Sequence, residues 1–115
     1  MGALTTHVLD TAHGKPAAGV LVDLYRLGEN AERVSSALTD DDGRCPGPLL
    51  DGEDFQPGEY ELVFHAGDYF RSIGTALPDP AFLDHVVIRF GLAADEHYHV
   101  PLLISPFGYS TYRGS

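Results

Sequence analysis

The sequence predicts an all-β protein, an antiparallel two-sheet β-sandwich, on three observations. Apolar and polar residues alternate with a period of two, the pattern of a half-buried strand, along most of the chain. Thirteen glycines and eight prolines divide the 115 residues into short segments, and no stretch before residue 60 keeps a helical apolar spacing over three turns. About seven or eight strands at intervals of roughly 8–12 residues are typical of a sandwich. This length suits one domain, spanning residues 1–115.

The first part of the chain contains three predicted strands. Leu4–Leu9 alternates and is followed by a turn at Gly14–Pro16. Val20–Leu27 alternates in the same way and gives the second strand. Arg33–Thr39 is a weaker strand that ends at Asp40–Gly43, a turn sequence because aspartate and glycine tolerate positive φ.

The second part contains one helix and the remaining strands. Cys45–Pro57 carries three prolines and is predicted to be irregular, apart from a brief strand near Leu49–Leu50. Tyr60–His65 alternates clearly, whereas apolar residues within 66–74 have helical spacing over little more than two turns, which predicts one short helix. The last predicted strands are Phe82–Leu92, His97–Ile104 and Gly108–Arg113. An unbroken apolar run in the first of these predicts a strand that is buried on both faces.

Charge and cysteine content exclude several classes of function. The formal net charge of −10 repels phosphate and anionic lipid, so the sequence predicts no nucleic-acid and no membrane partner, and an anionic ligand would need a locally basic pocket. Cys45 is the only cysteine, which excludes an intrachain disulfide. No apolar run approaches the ~18 residues of a membrane span, and the first residues lack a basic and apolar leader. A cytoplasmic location is the expectation.

Histidines in predicted strands are the main candidates for chemistry. His97 and His99 are two residues apart, so both imidazoles face the same side of a strand, and His7 lies on a separate strand. Three histidines on facing strands could bind zinc, or two could share acid–base work on a water molecule. The pattern alone favours a surface position for His97, beside an acidic turn, and partial burial of His99 in a cleft.

Four other polar residues have simple structural interpretations. Arg44 follows an acidic turn and is expected to pair with Asp42 at the surface, with little gain in stability. Arg113 lies near the C-terminus and is expected to be solvated. Tyr109 and Tyr112, also near the chain end, are expected to cover edges of the core.

The last nineteen residues, HYHVPLLISPFGYSTYRGS from His97 to Ser115, resemble a known family. They are similar to the C-terminal signature of the 5-hydroxyisourate hydrolases, enzymes of urate breakdown that share the transthyretin fold, and the closing Tyr-Arg-Gly-Ser is the mark of that family. Leu4–Asp10 followed by Gly14–Ala17, then Thr39–Arg44 and Glu61–Phe70, agree in collinear order, so the resemblance covers essentially the whole chain. Hormone-carrying transthyretins lack the terminal motif and the histidine of the first strand, so a thyroxine carrier fits poorly.

The resemblance implies a transthyretin-like (prealbumin-like) sandwich that assembles as a homotetramer, a dimer of dimers, with active sites in a channel where two dimers meet. It implies hydrolysis of the N1–C6 lactam of a small-molecule substrate, 5-hydroxyisourate, to 2-oxo-4-hydroxy-4-carboxy-5-ureidoimidazoline, with no cofactor and no metal. The catalytic residues implied by motif match are His7, Arg44, His99 and Ser115. The substrate-binding residues implied in the same way are His7, Arg44, Tyr112, Arg113 and Gly114.

The types of these residues suit hydrolysis of an amide. To be activated for attack, water needs a base whose pKa is near neutral pH, and the unperturbed pKa of imidazole lies there. We assign His99 as the base and His7 as the residue that orients the water or relays the proton, and the reverse assignment stays open. Arg44 could hold a ring oxygen and stabilise the oxyanion. Tyr112 could hydrogen-bond the purine edge, and Ser115 could do so through its hydroxyl or the terminal carboxylate.

Two other classes of function stay open on the sequence. A small metal-binding module would use His7, His97 and His99 as zinc ligands. A non-catalytic transthyretin-like sandwich would bind a small ligand or a partner protein instead, and it would not accelerate the decay of 5-hydroxyisourate at all.

Overall fold

Two packed β-sheets make up the protein in the computed structural model, which describes residues 1–114. The strands are β1 (Ala3–Asp10), β2 (Lys15–Pro16), β3 (Leu21–Arg26), β4 (Glu32–Leu38), β5 (Leu50–Asp51), β6 (Gly58–His65), β7 (His85–Leu92), β8 (His97–Ser105) and β9 (Gly108–Thr111), and the helix is α1 (Ala66–Ser72). One sheet has the order β2-β1-β8-β9, with β5 also paired to β1, and the other has the order β4-β3-β6-β7. The predicted all-β two-sheet sandwich with one short helix is confirmed.

The core lies between the sheets because the strands alternate as the sequence indicates. In β1, Leu4 and Val8 are completely buried, and the residues between them are partly exposed on the outer side or satisfied by hydrogen bonds. Tyr60 and Phe64 of β6 are completely buried on the opposite sheet. Each large apolar side chain removed from water in this way contributes ~1.5–3 kcal/mol to folding.

One strand pair corrects the prediction of a wholly antiparallel sandwich. β1 and β8 run parallel over eight residue pairs, from Ala3 opposite His97 to Asp10 opposite Ile104. The other paired strands are antiparallel. Alternation along a strand indicates which residues share a face, but it carries no information on the direction of a partner strand that is 94 residues away in the chain.

The strand predicted at Phe82–Leu92 is shorter and more exposed than the sequence indicates. It begins at His85, opposite His65, because β6 ends there and helix α1 takes over, so residues 82–84 have no strand to pair with. The predicted burial on both faces is wrong, because β7 is an edge strand: Val86 is 2% exposed and Val87 is 45% exposed.

Three smaller boundaries also differ from the prediction. Lys15–Pro16, predicted as a turn, is a two-residue strand paired with the end of β1, and Gly14, at φ 66°, lies in the turn itself. Helix α1 ends at Ser72, just before Gly74 at φ 85°. The last strand ends at Thr111 rather than Arg113, since the chain leaves β8 there and returns to it only at Gly114. The brief strand near Leu49–Leu50 is confirmed.

Candidate active site

The outer face of the five-stranded sheet carries the candidate site. Thr5 and His7 of β1 point outward because their neighbours Leu4, Thr6 and Val8 point into the core. The parallel register places Thr5 opposite His99, and His97 lies on the same face of β8, as the sequence predicts. A cavity of about 400 Å³ opens over Thr5, His97 and His99, and its walls also include Arg44, Cys45 and Pro48 but not His7.

Arg44 reaches this face through the turn that the sequence predicts at Asp40–Gly43. The Oδ1 atom of Asp40 accepts hydrogen bonds from the backbone N–H groups of Asp42 (2.9 Å) and Arg44 (3.1 Å). The backbone of Asp40 also donates to the carbonyl of Arg44 at 2.8 Å. Aspartate therefore closes the turn with its own side chain and fixes the direction in which the chain leaves it.

Gly43 lets this turn lie directly against β1. Its φ of 80° favours glycine, and a Cβ atom there would lie 2.3 Å from the carbonyl oxygen of Val8. The N–H of Val8 donates to the carbonyl of Gly43 at 2.8 Å. This close approach pairs Arg44 with His7 in an isolated antiparallel bridge, so the two residues that the sequence places thirty-seven positions apart become neighbours.

Arg44 is not neutralised in the part of the chain that the structure describes. No carboxylate of residues 1–114 lies within 4 Å of its guanidinium, so the predicted pair with Asp42 does not form. Asp42 contributes a backbone carbonyl instead, which accepts a hydrogen bond from Nε2 of His7 at 2.8 Å. Because a carbonyl only accepts, Nε2 carries the proton, and Nδ1 is the nitrogen of neutral His7 that remains free to accept one.

His99 is held as a neutral imidazole. Partial burial lowers its pKa below the ordinary value of 6.5, and the positive charge of Arg44 and, when they are protonated, of His7 and His97 lowers it further. Its Nδ1 atom lies 2.8 Å from the hydroxyl of Thr5. A ring that is neutral at neutral pH and lies on a cavity can accept a proton from water.

Gly114 packs against the ring of His99. Its N–H donates to the carbonyl of His99 at 2.8 Å, and a Cβ atom there would lie 2.8 Å from Cδ2 of the ring and 3.2 Å from Cγ of Pro101. Glycine is therefore the residue that allows the C-terminal segment to cover His99. Gly114, which the sequence predicts to bind substrate, contacts His99 in this way.

Tyr112 and Arg113 lie outside this cavity in the single chain. They border a second groove of about 420 Å³ between the edge strands β7 and β9, where the guanidinium of Arg113 lies 4.1 Å from the centre of the Tyr98 ring and donates to Glu96 at 2.9 Å. Arg113 is thus paired rather than merely solvated, and the 60% exposed Tyr112 does not cover the core. The catalytic assignment of Ser115 lies outside the described residues.

The sequence missed Thr5, which contacts both His97 and His99. Only the parallel pairing of β1 with β8 brings the three together, and no local pattern carries that pairing. Cys45 lines the cavity, but burial and the charge of Asp40 raise its pKa to about 11, so its thiol is protonated and unreactive. Among residues 1–114, no three His, Cys, Asp or Glu side chains are arranged to hold a metal ion.

The described helix α1 is too short to cross a membrane. Fold and site together define a class: a small transthyretin-like sandwich with two imidazoles and a guanidinium grouped on the outer face of one sheet.

Comparison with known proteins agrees with this class. The sequence pattern of the HIUase/Transthyretin family matches residues 4–114, and this chain belongs to that family. A 5-hydroxyisourate hydrolase of Pseudomonas aeruginosa is 64% identical over 117 aligned positions, which cover 100% of this chain and 93% of that protein. The crystal structure of an (S)-allantoin synthase superposes with a TM-score of 0.93 at 50% identity, covering 99% of this chain and 44% of that longer one.

A third relative matches over the full length of both chains. The structure of Klebsiella pneumoniae 5-hydroxyisourate hydrolase superposes with a TM-score of 0.84 at 36% identity, and the match covers 100% of both chains. The likeness therefore extends over the complete sandwich, including the strands that carry His7 and His99 and the turn that precedes Arg44.

Proposed function

We propose that this protein hydrolyses the N1–C6 lactam of 5-hydroxyisourate to 2-oxo-4-hydroxy-4-carboxy-5-ureidoimidazoline. The observation that carries the proposal is that one cavity is lined by His99, whose pKa is lowered, and by Arg44, which forms no ion pair within residues 1–114, in a chain 64% identical to a protein named as that hydrolase. The cavity volume of about 400 Å³ is within the range of small-molecule sites.

The reaction follows from these groups. A water oxygen attacks C6 while His99 accepts one of its protons, so the C6 carbonyl becomes a tetrahedral oxyanion. Arg44 donates hydrogen bonds to that oxyanion, whose charge would otherwise be unfavourable in a partly dehydrated cavity. The C6–N1 bond then breaks as N1 takes a proton from the imidazolium of His99, and a carboxylic acid and a ureido group result. His7, beside Arg44, orients the water or relays the proton.

Tyr112, Arg113, Gly114 and Ser115 complete the proposal as substrate-facing residues of an assembled site. Since Tyr112 and Arg113 border a groove at the sheet edges of the single chain, their contact with substrate depends on the proposed homotetramer. Light scattering tests that assembly, and mutation of Tyr112 to Phe in the assembled protein tests the contact through KM. The cytoplasmic location expected from the sequence also belongs to this proposal, and cell fractionation tests it.

The experiment is the decay of freshly generated 5-hydroxyisourate, followed by ultraviolet absorbance after oxidation of urate. The proposal predicts that the purified protein accelerates this decay far above the spontaneous rate and that a chelator leaves the acceleration unchanged. A decay rate equal to that without protein would contradict the hydrolase. Loss of activity with chelator, restored by zinc, would instead favour the metal-binding alternative with His7, His97 and His99 as ligands.

A further inference from the structure

Thr5 lies between the two histidines of β8. Its Oγ1 atom is 2.8 Å from Nδ1 of His99 and 2.9 Å from Nε2 of His97. Thr5 is opposite His99 in the parallel register, and the side chain is β-branched, so few rotamers are open to it. One hydroxyl therefore contacts a ring nitrogen of each histidine from a stiff position on the neighbouring strand.

Because this hydroxyl has a single proton to donate, it restricts which nitrogens of the two rings are protonated. A hydroxyl donates one hydrogen bond and accepts up to two, so it can donate to only one of the two ring nitrogens. At least one of these nitrogens must therefore carry a proton and donate to Thr5. Each neutral imidazole has one protonated nitrogen, so the hydroxyl couples the tautomer of His99 to that of His97.

We propose that Thr5 is a positioning residue that holds His99 in the tautomer with the proton on Nδ1. Because Thr5 covers Nδ1, a proton taken from water has to arrive at Nε2, and Nε2 must be unprotonated beforehand. Nδ1–H of His99 then donates to Thr5, and the Thr5 hydroxyl donates to Nε2 of the exposed His97, whose other nitrogen is free for solvent. This inference deepens the proposed hydrolase function and rests on it.

The same arrangement serves both charge states of His99. When Nε2 takes its proton, the ring becomes an imidazolium that donates through both nitrogens. Thr5 continues to accept from Nδ1, so no hydrogen bond has to reverse during the reaction. In the opposite arrangement, with Thr5 donating to Nδ1, Nε2 would already carry a proton and His99 could not act as a base toward the cavity.

Thr5→Val and Thr5→Ser test the role of the hydroxyl. Valine keeps the branched shape and removes the hydroxyl, and serine keeps the hydroxyl. We expect Thr5→Val to lower kcat roughly 10- to 100-fold, as for loss of a hydrogen bond to a charged group, and Thr5→Ser to restore most of it. The acid limb of the kcat profile moves to lower pH in Thr5→Val, because the imidazolium loses an acceptor.

Thr11→Val is the matched control. Its hydroxyl donates to the carbonyl of Ile104 at 3.0 Å, beyond the other end of the same strand pair, so its loss affects stability without touching the site. We expect unchanged kcat and an unchanged pH profile. Equal falls in kcat in Thr5→Val and Thr11→Val would reduce Thr5 to a structural residue and overturn the proposal.

Heteronuclear NMR of labelled imidazole nitrogens determines the tautomer of His99 without an activity assay. The proposal predicts that neutral His99 carries its proton on Nδ1 in the native protein. A proton on Nε2 would overturn it even if every threonine variant failed to fold. If the native protein failed to accelerate the decay of 5-hydroxyisourate, the hydrolase proposal would fall while the tautomer result would still stand.

Discussion

The two outer faces of the sandwich both carry histidines, but they surround them differently. On the four-stranded sheet, Nε2 of His65 lies 2.9 Å from Oδ2 of Asp23, and the hydroxyl of Ser36 donates to Oδ1 of the same carboxylate at 2.6 Å. On the five-stranded sheet, His7 and His99 bond to a backbone carbonyl and a hydroxyl. On the four-stranded sheet the hydrogen bonds to the carboxylate stabilise the fold. On the five-stranded sheet an imidazole remains free to exchange protons.

The causes of the pKa shifts also differ between the two faces. Burial raises the pKa of Asp23, but hydrogen bonds from Ser36 and His65 outweigh burial and lower it overall. At His99, burial and the neighbouring charges of Arg44, His7 and His97 all act in one direction and lower the pKa. A carboxylate next to His99 would oppose this effect by favouring the imidazolium. Among residues 1–114, no acidic side chain bonds to His99, so its pKa stays low in a chain whose net charge is −10.

The largest expected effect separates the histidines of the two faces. His99→Asn and His7→Asn should each largely abolish activity, by about 100- to 10,000-fold in kcat/KM, because asparagine cannot take up a proton. His65→Asn, on the other face, is the matched control and should retain activity, as should His97→Asn at the surface. Initial rates of 5-hydroxyisourate loss measure all four. An active His99→Asn or an inactive His97→Asn would mean that the base is assigned to the wrong residue.

Arg44 and Arg71 form the next pair. Arg44→Ala should lower kcat/KM about 100- to 1,000-fold by removing an oxyanion donor, with a much smaller effect on Tm because its guanidinium makes no ion pair within residues 1–114. Arg71 of helix α1 bonds to Asp68 at 3.2 Å at the surface, so Arg71→Ala should leave kcat/KM unchanged. Full activity in Arg44→Ala would remove Arg44 from the site.

The pH dependence of kcat/KM tests how neighbouring charge acts on His99. Only neutral His99 can act as a base, so its lowered pKa keeps kcat/KM constant below the pH at which a free imidazole would already be protonated. Arg44→Met removes one of the causes, so the acid limb of the residual activity should move to higher pH. Arg71→Met provides the comparison profile, and an acid limb that stayed in place in Arg44→Met would show that Arg44 does not act on His99.

The smallest expected effect lies on the four-stranded sheet. Asp23→Asn weakens the bonds from Ser36 and His65 and should reduce the free energy of unfolding by about 1–3 kcal/mol while kcat/KM is kept. Because the pKa of Asp23 is lowered on folding, its contribution is fully present above the ordinary value of 3.8 and is lost as pH falls through the folded value. Calorimetry across that range measures it, and a gain in stability for Asp23→Asn would refute this assignment.

Local sequence patterns predict the features that depend only on residues close together in the chain. Alternation gives the faces of β1 and β8, including the shared side of His97 and His99, and aspartate with Gly43 gives the turn that carries Arg44. The parallel pairing of β1 with β8 depends on contacts between distant segments, so Thr5 stays hidden in the sequence. The edge position of β7 depends on sheet order in the same way, which is why Val87 is predicted buried and is exposed.

The central claim is that the outer face of the five-stranded sheet holds a neutral imidazole base beside a guanidinium that no carboxylate of residues 1–114 neutralises. The ionisation state of His99 at neutral pH, read from the nitrogen chemical shifts of its labelled ring, tests it most directly. The account predicts one protonated and one unprotonated nitrogen, and a pKa below 6.5 on titration. Two protonated nitrogens at neutral pH would contradict it, because an imidazolium cannot activate water.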